Sequence, residues 1–219
     1  MLMNYYKEDL RKKLQLYFVM GSNNCSIHPL IALQQAIEGG ITLFQFREKG
    51  KGAKVGKEKI ALARELQDIC RQNGVPFIVN DDLELALEID ADGIHIGQED
   101  ENPAKVREKI GEDKILGISA HNIEEAKMAL TQGADYLGVG PMYETTTKKD
   151  IRDVKGPQVI TQMRKNNITV PIVGIGGIKS GLIQSVMKAG ADGVAVISAI
   201  SNCENPKYAA EQLLIETKI

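Results

Sequence analysis

The chain has 219 residues, 43% of them hydrophobic and 26% charged, with a formal net charge of −2. That balance fits a folded globular protein and argues against a broad electrostatic footprint for nucleic acid. No apolar run approaches the ~20 residues needed to cross a bilayer, and residues 1–13 carry mixed charge with no apolar leader core, so a cytoplasmic location is expected.

Aromatic residues make up 5% of the chain and Trp is absent, so the core must be aliphatic. Parallel sheets covered by helices have such cores. Cys25, Cys70 and Cys203 lie far apart and are odd in number. They offer neither a disulfide framework nor a metal-binding pair, and reduced thiols are expected.

Along the chain, residues 5–16 read as a helix ahead of the first strand. Short aliphatic runs follow at 16–20, 42–46, 76–79, 93–96, 116–119, 136–139, 172–175 and 193–197. Most are closed by Gly, Asn or Ser, the pattern of strands buried on both faces. Amphipathic stretches separate them, such as 54–73, where Ile60, Ala63, Leu66, Ile69 and Cys70 share a face. Eight strands alternating with helices predict an α/β fold: a (β/α)8 TIM barrel with an additional N-terminal helix, one domain over 1–219. The first helix can plug the barrel floor or lie on its side; the pattern leaves both open. Ala91-Asp92-Gly93, Ala134-Asp135-Tyr136 and Ala191-Asp192-Gly193 each introduce a strand, two of them after Gly133 and Gly190. The echo suggests one βα unit reused.

Chemistry in a barrel collects where strands end. Run 42–46 leads into Gln45-Phe46-Arg47-Glu48-Lys49, and alternation puts Gln45, Arg47 and Lys49 on one side. An amide, a guanidinium fork and an ammonium aimed together suit an anion, although a salt-bridged rim has the same composition. The third and fourth strands end in Asn80-Asp81-Asp82 and His95-Ile96-Gly97-Gln98-Glu99-Asp100. Neighbouring strand ends lie about 4.8 Å apart, so Asp81 and Asp100 can share a divalent cation completed by water and phosphate oxygens, as Mg²⁺ prefers. Asp82 then caps the following helix. His95, inside a strand and without a second His or Cys at ligand spacing, reads as a packed, hydrogen-bonded residue. The fifth strand ends in Ser119-Ala120-His121, where Ser119 can donate to a phosphate; His121 fits either a base or a helix start. A long hydroxyl-rich loop, Gly140 to Asp150, ends in Lys148 and Lys149 and suits closure over an anion. The last two strands end in Gly174-Ile175-Gly176-Gly177-Ile178 and Val196-Ile197-Ser198, the place where barrels commonly hold a phosphate on backbone N–H groups. Two anion subsites in one pocket imply two phosphorylated ligands and a transfer reaction.

In order and number, these segments resemble the thiamine-phosphate synthase family over nearly the whole chain. Tyr17-Phe18-Val19-Met20-Gly21, Gly117-Ile118-Ser119-Ala120-His121 and Thr145-Thr146-Thr147-Lys148-Lys149-Asp150 belong to the same match. The resemblance implies a transferase that joins 4-amino-5-hydroxymethyl-2-methylpyrimidine diphosphate to 4-methyl-5-(2-phosphoethyl)thiazole, giving thiamine phosphate and diphosphate. It implies a dissociative reaction with Mg²⁺ on Asp81 and Asp100. By matched position, Gln45 contacts the pyrimidine, and Arg47, Lys49, Asn80, Ser119 and Lys148 hold the diphosphate. Thr145, Thr147, Gly177, Ile197 and Ser198 hold the thiazole phosphate. Glu144 departs from the family pattern, which often has Pro there. The expected partners are these small molecules, not nucleic acid or membrane; a homo-oligomer is left open. Two other readings share the scaffold: a thiazole tautomerase and a non-catalytic phosphate-ligand sensor. The tautomerase would need a proton-transfer residue and not the full set Arg47, Lys49, Asp81, Asp100 and Lys148; the sensor would bind a single ligand without turnover.

Overall fold

Strands without a polar face must be covered on both sides, and this sheet achieves it by closing on itself. The structure, a computed structural model, describes residues 9–145 and 154–218. Eight parallel strands pair in chain order: β1 (Leu16–Met20), β2 (Leu43–Phe46), β3 (Phe77–Asn80), β4 (Gly93–Ile96), β5 (Ile115–Ala120), β6 (Tyr136–Val139), β7 (Ile172–Ile175) and β8 (Gly193–Val196). Closure comes from β8 on β1, with Leu16 opposite Val194 and Phe18 opposite Val196. The expected (β/α)8 barrel is therefore observed.

Residues 9–13 are helical (α1). The other helices are α2 (Pro29–Glu38), α3 (Gly56–Gln72), α4 (Leu83–Glu88), α5 (Pro103–Ile110), α6 (Ile123–Thr131), α7 (Gln158–Lys165), α8 (Ile183–Lys188), the short α9 (Ser198–Ser201) and α10 (Pro206–Glu216). No described helix is long and apolar enough to cross a membrane.

Strand alternation sorts the core into two layers. Phe18, Phe44, Phe46, Phe77, Ile94, Leu116 and Leu137 face outward and pack under the helices. Tyr17, Val19, Leu43, Ile78, Tyr136, Val173 and Ala195 face the barrel interior. Leu10 of α1 and Leu14, just after it, join that inner cluster and are buried. The N-terminal helix thus plugs the barrel floor, the alternative its sequence did not decide.

Several edges differ by a residue from the hydrophobic runs. β2 starts at Leu43, and the Thr42 side chain just before it binds the neighbouring strand, its Oγ1 accepting from Leu16 N at 2.9 Å. The same device recurs around the barrel. Asp92 accepts from Phe77 N, Asp135 from Leu116 N and Asp192 from Ile172 N, each at 2.8 Å. A side-chain acceptor before each even strand therefore holds an N–H at the start of the preceding odd strand. This gives the Ala-Asp echo its physical meaning. Two of these carboxylates are backed by arginines from the helices: Arg107 reaches Asp135 and Arg164 reaches Asp192, both at 2.6 Å. Arg164 also donates to the Ile168, Val170 and Gly190 carbonyls.

Asp192→Ala strips the partner from a largely buried Arg164 and leaves Ile172 N–H unpaired. We expect a loss of roughly 2–4 kcal/mol in stability, read by denaturant unfolding. Asp192→Asn, which still accepts from Ile172, should lose less; equal losses would remove the strand-holding role.

Candidate functional site

The carboxyl ends of β2 to β5 enclose a cavity of about 160 Å³. Arg47, Lys49, Asn80, Asp81, Asp100 and Ser119 all line it. Six candidates from four separate strand ends therefore meet in one place. On the β2 end, alternation decides the arrangement. Glu48 turns away and is buried, accepting from Ser22 N and Oγ and from Lys54 N at 2.6–2.7 Å. It fastens the loops on either side while Arg47 and Lys49 face the cavity. Arg47 makes no ion pair among the described residues, so its fork is available to an anion.

Lys49 Nζ lies 2.7 Å from Asp81 Oδ2. Asp81 adopts a left-handed backbone conformation, φ 61°, uncommon outside glycine but tolerated by Asp. Its own N–H is held by the His95 carbonyl at 2.9 Å. Asp82, next in sequence, caps α4 by accepting from Leu85 N at 3.0 Å and pairs with Lys59 at 2.7 Å. The two adjacent aspartates thus divide as expected: one ends a helix, the other faces the cavity.

Asp81 and Asp100 line the same cavity and act on each other's ionisation. Burial works against ionising Asp81, but the Lys49 ammonium and the Asp100 carboxyl hold it below the usual carboxylate range. Burial and the Asp81 carboxyl together push Asp100 up. Two carboxyls close together cannot both ionise without a positive partner. Among the described residues, no group of three or more His, Cys, Asp or Glu gathers to hold a metal ion. Two carboxylates suit Mg²⁺, which keeps several waters and takes phosphate oxygens rather than a full protein cage. A cation there would add positive charge between the two carboxyls, so the donor set fits.

Beneath the rim, the interior carries a line of polar groups. Gln45 Nε2 donates to Tyr17 Oη at 2.7 Å, and Tyr17 Oη meets Tyr136 Oη at 2.9 Å. Tyr136 Oη meets His95 Nδ1 at 2.9 Å, and His95 Nε2 meets Ser119 Oγ at 3.0 Å. Burial pushes both phenols above their ordinary value, so each keeps one proton to donate. With Gln45 donating, the protons run in one direction and His95 bears its own on Nε2, facing Ser119. Space for the rings comes from β5: a Cβ on Gly117 would sit 2.2 Å from the Tyr136 ring and 2.5 Å from His95 Nδ1. Gln45 is thus not a rim residue; it stands inside the barrel, 3% exposed.

A second cavity, about 880 Å³, opens at the ends of β6 to β8. Thr145, Gly177 and Ser198 line it, with Tyr143, Glu144 and Lys179. Gly177 has φ 67°, and a Cβ there would lie 2.4 Å from the Glu144 carbonyl oxygen. Only glycine combines that backbone with that approach. Ile197 does not line the cavity; it is the N-cap of α9 and its carbonyl accepts from Ile200 N and Ser201 N. Thr147 and Lys148 lie outside the described residues. His121 lines the first cavity and is bound to Glu125 at 2.7 Å, beside the start of α6.

Sequence reasoning did not single out Tyr17, Tyr136, Gln98 or Lys179. The two tyrosines were detectable from inward parity. Gln98, which lines the first cavity and donates to the Ser119 carbonyl at 2.6 Å, carried no such signal.

A family model described as thiamine monophosphate synthase matches residues 16–200. A thiamine-phosphate synthase of Bacillus cereus (strain 03BB102) is 59% identical over 210 residues, covering 96% of this chain and 95% of the relative. One from Bacillus thuringiensis (strain Al Hakam) is 58% identical with the same coverage. Among solved structures, a thiamine phosphate pyrophosphorylase from Pyrococcus furiosus superposes with a TM-score of 0.86 at 33% identity, covering 95% of this chain and 98% of that one. With its barrel and strand-end motifs, the chain belongs to the thiamine monophosphate synthase family.

Proposed function

We propose that this chain is a transferase that makes thiamine phosphate from a pyrimidinylmethyl diphosphate and a phosphoethylthiazole, releasing diphosphate. The observation that carries the reading is the meeting of Arg47, Lys49, Asn80, Asp81, Asp100 and Ser119 around one cavity, with a second, larger cavity on the neighbouring arc of the rim. A cation-lined pocket with paired carboxylates suits a leaving diphosphate. A pocket of glycine backbone and hydroxyls suits a phosphomonoester that stays attached.

In the proposed reaction the methylene C–O bond to diphosphate breaks and the electron pair leaves with the diphosphate. The pyrimidine ring stabilises the resulting cation, and the thiazole nitrogen supplies the pair for the new C–N bond. That nitrogen carries no proton, so no general base is required. Mg²⁺, held by Asp81 and Asp100, would neutralise charge on the departing diphosphate. Arg47 and Lys49 add fixed positive charge where negative charge develops, with no reorganisation needed at the moment of reaction. Ser119 and Asn80 donate to the same oxygens. Gln45, anchored on Tyr17, orients the pyrimidine. By the family resemblance, Lys148 completes the cation set, and Thr145 and Thr147 join Gly177 and Ser198 on the thiazole phosphate.

The direct test is diphosphate release with both substrates and Mg²⁺, with and without EDTA. Turnover that requires both substrates and stops with EDTA is expected; binding of one ligand without turnover, or thiazole isomerisation alone, would falsify the reading. Arg47→Ala should lower kcat about 10²–10³-fold, the scale of one removed transition-state donor. Arg47→Lys should recover only part, because the planar fork is lost. Asp100→Asn should weaken apparent Mg²⁺ affinity by at least the ~10–100-fold that even outer partners of a metal contribute. An unchanged Mg²⁺ titration would exclude Asp100 as a ligand.

A further inference from the structure

The loop after β7 carries Gly177, Ile178, Lys179 and Leu182, all lining the larger cavity. It is held at two points. From the β6 side, Tyr143 Oη donates to the Leu182 carbonyl at 3.1 Å. From the far end of the chain, Glu216 reaches the same loop. Its Oε2 accepts from Gly181 N at 2.8 Å, and its Oε1 accepts from Ser180 Oγ. Gly181 has φ 84°, a backbone conformation glycine adopts without cost, so its N–H is free to turn outward to Glu216.

Glu216 is the last residue of α10, and that last turn contains no basic residue. The carboxyl end of a helix has partial negative charge, where a carboxylate is locally unfavourable and Lys or Arg is preferred. The residue breaks a local rule, and its compensation lies in the loop 35 residues away. Breaks of this kind concentrate at functional sites. The helix that carries Glu216 is itself well seated: Ala210 and Leu213 are buried, and α10 approaches α2 so closely that a Cβ on Gly39 would sit 2.3 Å from the Lys207 carbonyl oxygen. A fixed helix therefore presents a charge to the outer side of a turn that is closed within by Leu182 N–H on the Lys179 carbonyl at 3.0 Å.

We infer that Glu216 is a positioning residue for the phosphate-holding loop: by binding Ser180 and Gly181 from outside, it keeps Gly177 and Lys179 in place around the phosphomonoester. The inference rests on the function proposed above, because it assigns that cavity to the phosphorylated thiazole. Glu216 touches no substrate; it acts through the loop.

The experiment compares wild type, Glu216→Ala, Glu216→Gln and Ser180→Ala in steady-state turnover, varying each substrate in turn, with thermal unfolding of each variant. Glu216→Ala should raise KM for the thiazole phosphate about tenfold, the scale of one charge-assisted hydrogen bond. KM for the pyrimidine diphosphate, and kcat at saturation, should stay within about twofold. Glu216→Gln, still able to accept from Gly181, should restore most of the loss, and Ser180→Ala should show a smaller rise in the same KM. Unchanged thiazole KM in both Glu216→Ala and Ser180→Ala overturns the inference. So does an equal rise in both KM values with a lowered melting temperature, which would mark a merely structural residue. Absence of turnover in wild type would instead sink the proposed function, so the two failures are distinguishable.

Discussion

Asp81 and Asp100 face one cavity and perturb each other's ionisation, and Lys49 sits 2.7 Å from Asp81. Placing two acids together is unfavourable unless a proton, an ammonium or a metal ion compensates. Their surroundings keep them together nonetheless. Gly97 N–H holds Asp100 at 2.7 Å, and the His95 carbonyl holds the backbone of Asp81 in a left-handed conformation. The arrangement is therefore built by the backbone of two adjacent strands and does not depend on flexible side chains alone. On the proposed reading, that preorganisation is what a departing diphosphate needs: a metal position and two cations fixed before charge develops.

The barrel makes this arrangement available at little local expense. Strand parity sends Gln45, His95 and Tyr136 inward, while Phe44, Ile94 and Leu137 pack outward under the helices. The interior polar line from Gln45 to Ser119 is almost fully internal in its hydrogen bonding, so it can be buried without orphaned groups. It also joins the two groups proposed to touch the pyrimidine and the diphosphate. A side-chain acceptor at the foot of each even strand, Thr42 or an Asp, holds the opposite end of the barrel. Stability is thus concentrated at the amino ends of the strands and chemistry at the carboxyl ends, as the fold allows.

Much of this was legible in the sequence because it followed from period and position. Alternation along Gln45-Phe46-Arg47-Glu48-Lys49 placed two cations on one side and Glu48 on the other, and Asp82 read as a cap next to a cavity-facing Asp81. What escaped was whatever depends on three-dimensional approach. The stretch 9–15 has only two leucines to mark its role, so the plugged floor was undecided until Leu10 and Leu14 joined the inner cluster. Ile197 sits beside Ser198 in sequence, yet it caps α9 and does not line the cavity. Glu216 reads as an ordinary surface charge on a helix; nothing local reveals a partner 35 residues earlier.

The two cavities differ in the way a transfer reaction requires. The leaving group's charge changes during the proposed chemistry, so the groups around it should be charged and fixed, since only interactions that strengthen in the transition state raise kcat. The thiazole phosphate does not change; it is a handle. Backbone N–H groups and hydroxyls suffice there, because binding energy from a remote, unreacting group serves to place the nucleophile. A strongly charged cage would hold that handle equally in substrate and product and slow release. The small carboxylate-and-cation cavity beside a larger one lined by Gly177, hydroxyls and apolar side chains is the division those opposite demands produce.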